Sequence, residues 1–461
     1  MGRRDSQASV AIALFTRDLR VHDNPALVGA SSAEQVVPAF VVDDGIAGFL
    51  CPNRAAFLVD CLTDLDAGLR DRGGRLVVRR GDVVEEVRRL AADTRADVVH
   101  AAADVSGYAQ RREAALEEAL RSDGRRLMVH DGSITAVPPG AVTPQGKDHF
   151  AVFTPYFRRW SQHPLRVPLR APRQIQLPRG IRPGAIPHRS DICPGDVSPD
   201  IAPGGETAAR KDLARWKGRV DSYAERNDDL ADDATSRLSA YLHFGCLSAT
   251  EIIHRIGRDG PAAEAFVRQL AWRDFHHQVL AARTSASWQD YRPRDDRWRV
   301  DQQEYDAWRE GRTGYPIIDA GMRQLAAEGW MHNRARLLVA SFLTKTLYVD
   351  WRLGARHFLS LLLDGDVANN QMNWQWVAGT GTDTRPNRVL NPLRQARRFD
   401  PRGDYVRRYV PELRGIDGPA VHEPWRLPDD VRRRVDYPDP IVDPGAIGHR
   451  RPRTGRQSGR P

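Results

Sequence analysis

Apolar and polar residues follow two rhythms along this chain, and the change of rhythm divides it. Val10-Ala11-Ile12-Ala13-Leu14-Phe15 is an unbroken apolar run, the mark of a strand covered on both faces. Similar short runs at 36–42, 75–79, 97–101 and 126–130 predict four more strands. Between them, helical spacing appears after Pro25 and over 54–69, 82–92 and 111–122, and Gly73-Gly74 supplies a turn. Strand and helix alternate with short turns, so a doubly wound α/β domain with a parallel sheet is expected over 9–135. Ligands of such sheets bind beyond the carboxyl ends of the strands. No G-x-G-x-x-G or P-loop pattern is present, which argues against a standard dinucleotide site there.

Residues 136–205 are rich in Pro and Gly, with Phe153-Thr154-Pro155-Tyr156-Phe157 and Trp160 as aromatic islands. They read as a long connection laid over the surface. From 206 onwards strand signals vanish. Helical periodicity covers 205–224, 249–256, 262–282, 305–310, 316–328, 334–351 and 354–363. A larger, all-α second domain over 206–440 follows. Residues 441–461 carry five arginines among Pro, Gly and Ser and read as a disordered basic tail.

Composition changes this picture little. The 461 residues carry a net charge of +9, which suits a nucleic-acid partner. Nearly all the basic residues are arginine; Lys147, Lys211, Lys217 and Lys345 are the lysines. With abundant Ala, Gly and Pro, that pattern reflects coding bias as well as function. Cys51, Cys61, Cys193 and Cys246 lack metal-ligand spacing, so a reduced protein without a metal site is expected. No apolar run is long enough to span a membrane, and no secretory signal precedes the first strand. A cytoplasmic monomer is the default.

The candidate chemistry centres on residues 364–376, Asp-Gly-Asp-Val-Ala-Asn-Asn-Gln-Met-Asn-Trp-Gln-Trp. Two carboxylates, a run of amides and two indoles lie together. Buried amides are costly without hydrogen-bond partners, so this stretch points to a polar ligand beside aromatic rings. An amide-rich helix cap beside two core tryptophans is the blander alternative. Upstream, Gln269, Trp272 and Arg273 share one helical turn, as do Asn333, Arg334 and Arg336. Thr235-Ser236-Arg237-Leu238-Ser239 is a hydroxyl-rich helix start suited to phosphate. Nine of the eleven tryptophans lie between Trp216 and Trp376; most taken singly read as core, and their polar company is what stands out.

These motifs, with Phe15–Arg20, Tyr241-Leu242-His243-Phe244-Gly245, Gly311–Pro316 and Gly329–Arg334, resemble the photolyase/cryptochrome family, and its class I-like DNA photolyases in particular. The resemblance covers nearly the whole chain. It implies an α/β antenna domain and a helical domain that buries FAD. Family FAD contacts fall on Tyr223, Thr235, Ser236, Arg237, Leu238 and Ser239 around the phosphates. Arg336 would pair with Asp364 beside the isoalloxazine, Gly365 lies between the two acids, Asp366 would hold the ribose, and Asn370 would face the flavin N5. An amide can accept from a reduced N–H or donate to an anionic ring. Positions facing UV-damaged DNA fall on Gln269, Trp272, Arg273, His276, Asn333, Arg334, Trp376 and Gln395. Of these, Gln269, Trp272 and Asn333 would be catalytic, together with Asn370. Trp374, Trp351 and Trp298 would form an electron relay. The implied activity is light-driven cleavage of cyclobutane pyrimidine dimers flipped out of the duplex.

The departures point in two directions. Family members that split cyclobutane dimers carry an acid where Gln269 stands, and glutamine there resembles the (6-4) branch. Asn333-Arg334 instead follows the cyclobutane pattern. The alternatives are a (6-4) photolyase and a cryptochrome-type light sensor. The resemblance also implies a second chromophore. Deazaflavin is preferred over methenyltetrahydrofolate on the arginine-rich coding bias, with Arg54 and Asp104 as contacts.

Overall fold

The computed structural model describes residues 9–447. The expected basic tail falls outside these residues from 448 onwards. The chain forms two compact units. The first runs to Glu225 and adds Thr235–Ser287 and Leu359–Asn369; the second comprises Arg226–Ala234, Trp288–Phe358 and the chain from Asn370.

The first unit opens as strand–helix repeats. They are β1 Val10–Phe15, α1 Pro25–Ala30, β2 Gln35–Asp43, α2 Pro52–Arg70, β3 Val77–Gly81, α3 Val83–Thr94, β4 Val98–Ala102, α4 Gly107–Ser122 and β5 Arg126–His130. All five strands are parallel, in the order β3-β2-β1-β4-β5. Every residue of β1 is buried, as its polar-free sequence requires. Asn24, Asp82 and Ser106 cap their helices through side-chain oxygens. Strand order reverses between β1 and β4, so the residues that follow these two strands meet at the topological switch point. The expected strand 75–79 sits two residues later. Arg75 remains outside the sheet, and the ladder with β2 begins at Val77.

The rest is helical: α5 Phe153–Gln162, α6 Arg189–Ile192, α7 Glu206–Lys217, α8 Tyr223–Arg226, α9 Ser239–Phe244, α10 Ala249–Ile256, α11 Pro261–Ala282, α12 Gln302–Arg309, α13 Pro316–Glu328, α14 Asn333–Ser341, α15 Trp351–Leu361, α16 Val367–Ala378, α17 Pro392–Phe399 and α18 Asp404–Tyr409. Two expectations need correction. The 136–205 connection is not purely superficial. Phe153, Tyr156 and Trp160 recur at helical spacing on α5 and are buried. The Trp160 indole donates to Asp274 Oδ2 at 2.9 Å, and Asp274 also accepts from the backbone N–H groups of Ala136 and Val137. One buried carboxylate of α11 thus holds both ends of the connection's first part.

The second correction concerns 334–351, which is not one helix. After α14 the backbone widens into a π-helix, Phe342–Leu347, and Tyr348 then turns left-handed at φ 59°. Inside the widened turn the buried Lys345 donates to the carbonyls of Ala378 and Pro386, at 2.5 and 2.9 Å. The carbonyl of Tyr348 accepts from the Arg299 N–H instead of continuing a helical ladder. The 205–224 helix likewise stops at Lys217, because Gly218 ends it and a short 3-10 turn, Val220–Ser222, intervenes.

One partly buried histidine pair in the sheet makes acid stability testable. His100 Nδ1 lies 2.8 Å from His130 Nε2. Burial, reinforced by His130 and Arg126, lowers the His100 imidazole to about 4. The unfolded chain therefore binds a proton between about 6.5 and 4 that the fold refuses. The stability involved is complete above about 6.5 and lost as pH falls towards 4, about 3 kcal/mol at most. His100→Gln should flatten the fall of unfolding free energy over that window in urea titrations. An unchanged slope would show that His100 titrates freely in the folded protein.

Candidate functional site

In the first unit, the turn 364–366 places Asp366 at the centre of a buried polar cluster. Asp366 Oδ1 accepts from the Asn369 backbone and side chain, at 2.7 and 2.8 Å. Its Oδ2 receives the Arg17 guanidinium and faces His277 Nε2 at 3.6 Å, beyond hydrogen-bond reach. Arg17 follows β1 and also donates to Asp104, which follows β4, and to the His243 carbonyl. The switch point of the sheet is therefore tied to the 364–366 turn by one guanidinium. Burial alone would raise the Asp366 carboxyl. His277 and Arg17, with Arg273, hold it well below the usual carboxylate range instead.

Gly365 fits closely here: a Cβ on it would lie 2.6 Å from Arg54 Nη1. Asp364, beside it, is buried. Arg54 donates to the carbonyls of Leu359 and Leu362, at 2.6 and 2.9 Å, and to that of Phe49. Arg54 and Asp104, expected at a second chromophore, are thus both engaged with other parts of the first unit.

Nearby, α11 sorts its residues by face. Gln269 is exposed and Trp272 partly exposed. Arg273 and His276, expected to face DNA, are buried in the structure. Arg273 donates to the carbonyls of Ile134 and Leu242, at 2.7 and 3.3 Å. His276 Nδ1 lies 3.2 Å from Asn369 Oδ1, and its Nε2 has no partner among the described residues. Burial lowers the His276 imidazole to about 4, so it stands neutral at physiological pH. A buried, neutral, unpartnered ring nitrogen suits a polar ligand.

The 235–239 segment departs from the expected helix start. Thr235 and Ser236 precede the helix, which opens at Ser239 with Leu238 at the cap and no side chain capping it. Arg237 adopts a left-handed conformation, φ 52°, and Ser236 Oγ accepts from the Leu238 N–H at 3.4 Å. Tyr223 is buried edge-on against Trp216 and Phe266.

The second unit holds amides and indoles of its own. Asn370 is buried, and its Nδ2 donates to the Ala355 carbonyl and to Gln371 Oε1, at 3.1 and 3.0 Å. Those bonds use both amide hydrogens and leave Oδ1 as the acceptor. Asn333 opens α14 and is exposed, while His332 caps that helix and is buried. Arg334 forms a two-pronged ion pair with Asp228, at 3.1 and 2.6 Å, and lies over the Phe399 ring. Arg336 Nε donates to the Met331 carbonyl at 2.8 Å. Trp376 is half-buried under the Arg388 guanidinium, and Gln395 is half-buried on α17.

Trp374 and Trp351 are buried, whereas Trp298 is partly exposed. The Trp351 indole donates to Asp290, and Trp298 lies 5.0 Å from Tyr348. Trp374 touches Trp308, a fully buried indole, with ring centres 6.0 Å apart.

The sequence model for DNA photolyase matches residues 11–173, and that for the FAD binding domain of DNA photolyase matches 266–452. A deoxyribodipyrimidine photo-lyase of Streptomyces griseus is 62% identical over 441 residues, covering 94% of this chain and 96% of that one. This chain belongs to the DNA photolyase family. Among solved structures, a bacterial class III photolyase from Agrobacterium tumefaciens superposes with a TM-score of 0.88 at 33% identity, covering 96% of each chain. An archaeal photolyase from Sulfolobus tokodaii with two FAD molecules gives 0.83 at 30% identity, covering 94% of this chain and 96% of that one.

The photolyase fold thus accounts for both the parallel sheet and the helical FAD-binding domain. Sequence reasoning missed several members of the polar cluster. Arg17 lay inside a motif already noticed, but nothing local linked it to a carboxylate 349 positions away. His277 follows His276 in the α11 motif without a sequence signal of its own, and in the second unit the same holds for Trp308 beside Trp374.

The cluster should reveal itself through stability. Asp366→Asn removes the buried carboxylate and leaves the partly buried Arg17 with Asp104 as its remaining acid. Losing one member of a buried pair costs about 3 kcal/mol or more. Urea unfolding should show that loss, and an unchanged midpoint would mean that the pair contributes nothing net.

Proposed function

We propose that this photolyase-family chain repairs cyclobutane pyrimidine dimers in DNA, driven by light through FAD. The observation that carries this reading is the 62% identity across 94% of the chain to a deoxyribodipyrimidine photo-lyase. When bound, reduced FAD supplies an excited-state electron that splits the cyclobutane ring and then returns. Every other step falls to the chain's own residues.

The donor set fits that cofactor. His276 Nε2 is buried without a partner among the described residues. Thr235, Ser236, Arg237, Leu238 and Ser239, with Tyr223, would hold the phosphates. By family resemblance Asp364, Gly365 and Arg336 would contact the flavin. Asp366 would reach a ribose hydroxyl while sharing its carboxylate with Arg17 and Asn369. Asn370, with Oδ1 left to accept, suits the N–H of a reduced flavin better than an anionic ring.

On the DNA side, Trp272 and Trp376 would offer aromatic walls to flipped bases, and Gln269 an amide to a base carbonyl. Asn333 and Gln395 would supply further hydrogen bonds. Arg334 would meet a phosphate only by leaving Asp228. For the second chromophore we favour deazaflavin on compositional grounds. Reconstitution with deazaflavin and with folate, read by energy transfer to FAD, separates them.

Gln269 favours a second reading, repair of (6-4) lesions. That reading needs a histidine at the lesion. His332, the neighbour of Asn333, is turned inward as a helix cap. Reduced protein under blue light should therefore repair cyclobutane dimers. Gln269→Glu should keep or raise the yield per photon, because an acid can share a proton with the base carbonyl. Gln269→Ala should lower it, with a loss of about 1–3 kcal/mol from the unpaired carbonyl. Repair of (6-4) products without cyclobutane repair would overturn the assignment.

Trp374, Trp351 and Trp298 would carry electrons inward to oxidised flavin. Trp298→Phe should block photoreduction yet spare repair once the flavin is chemically reduced. Equal photoreduction in both proteins would assign the route elsewhere, with Trp308 as the neighbour already touching Trp374.

A further inference from the structure

Arg268 stands one residue before Gln269 on α11 and has a distinctive setting. Its guanidinium lies over two rings of α5, 4.5 Å from the centre of Phe157 and 5.0 Å from that of Phe153. Phe153 in turn lies parallel to Trp272, with centres 3.7 Å apart and 6° between planes. Trp272 contacts His276. A continuous stack therefore runs from Arg268 through Phe153 to Trp272. No carboxylate among the described residues lies within ion-pair distance of Arg268. Arg283, also on this side of the sequence, is by contrast paired with Asp148, and Arg255 with Glu251. Arg268 is partly exposed.

Ring contact orients a guanidinium without neutralising it. The result is a planar cation fixed in place, open to solvent and one helical turn from Trp272. Phosphate fits such a group through two parallel N–H bonds. We infer that Arg268 grips a phosphate of the DNA strand beside the lesion, and that Phe153 and Phe157 are the platform that aims it. This inference rests on the DNA-repair reading above. It adds a backbone contact that fixes register and carries no base information. A free phosphate anion would satisfy the same chemistry, so the test includes one.

The measurement is fluorescence anisotropy of the FAD-loaded full chain with a duplex containing one cyclobutane dimer and with the same duplex undamaged. KCl is varied from 50 to 400 mM, concentrations chosen so that counterion release dominates on the order of these salts. Losing one phosphate contact lowers the slope of log K against log salt by about 0.9. Arg268→Gln should show that decrease on both duplexes, weaken both alike, and leave their affinity ratio unchanged. Arg268→Lys should restore the slope, because charge is kept, with affinity only partly recovered because the two-pronged geometry is lost. Arg75→Gln, an exposed arginine ahead of β3, controls for net charge and should leave the slope unchanged. FAD content and melting temperature of each variant check folding.

A wild-type slope in Arg268→Gln would overturn the inference. So would equal losses in Arg268→Gln and Arg75→Gln, which would reduce the effect to overall charge. Inorganic phosphate competing at micromolar concentration with Arg268-dependent binding would also overturn it, by assigning the site to a free anion. A wild-type protein that binds neither duplex would instead bring down the repair reading, and this inference with it.

Discussion

The first unit depends on one partly buried cation. Arg17 lies between Asp104 and Asp366, at the place where the sheet reverses its strand order. Two carboxylates at this depth would repel each other and would each favour protonation if left alone. A guanidinium between them makes both ionised states tolerable. It also joins two stretches that are far apart in sequence: the ends of the central strands, and the acid–amide turn. The Asp366 cluster is therefore part of the fold's support as well as a candidate ligand contact. Arg273 and Asp274 extend this pattern, holding the 134–137 segment through backbone atoms.

Much of the fold was legible because its signals are local. An uninterrupted apolar run such as 10–15 can hardly be anything but a covered strand, and alternation with helices leaves few topologies. What escaped detection was set by contacts remote in sequence. Helix α5 is short and flanked by Pro and Gly, and it is stabilised by burying Trp160 against Asp274, a partner 114 positions away. The break after α14 depends on a widened turn and on Tyr348 adopting a left-handed conformation, and apolar spacing encodes neither.

The candidate site shows the same division. The amides of 369–373 and the neighbouring indoles announced a polar, aromatic environment by composition alone. Which face of α11 points inward was not legible. Gln269, Trp272, Arg273 and His276 occupy two turns, and residues so close in sequence can serve opposite purposes. Gln269 and Trp272 look outward, while Arg273 and His276 serve the interior. Arg334 offers a similar lesson, because its charge is already shared with Asp228 and Phe399.

The parallel contact of Trp272 with Phe153 has a thermodynamic consequence. An exposed indole normally samples several rotamers, and any partner that stacks on it must first freeze that motion. Here the ring is already held flat against a neighbour from another helix. Its entropy was surrendered during folding, so an incoming planar group meets a surface that has little left to lose. Pre-organisation of this kind strengthens association without adding a single contact.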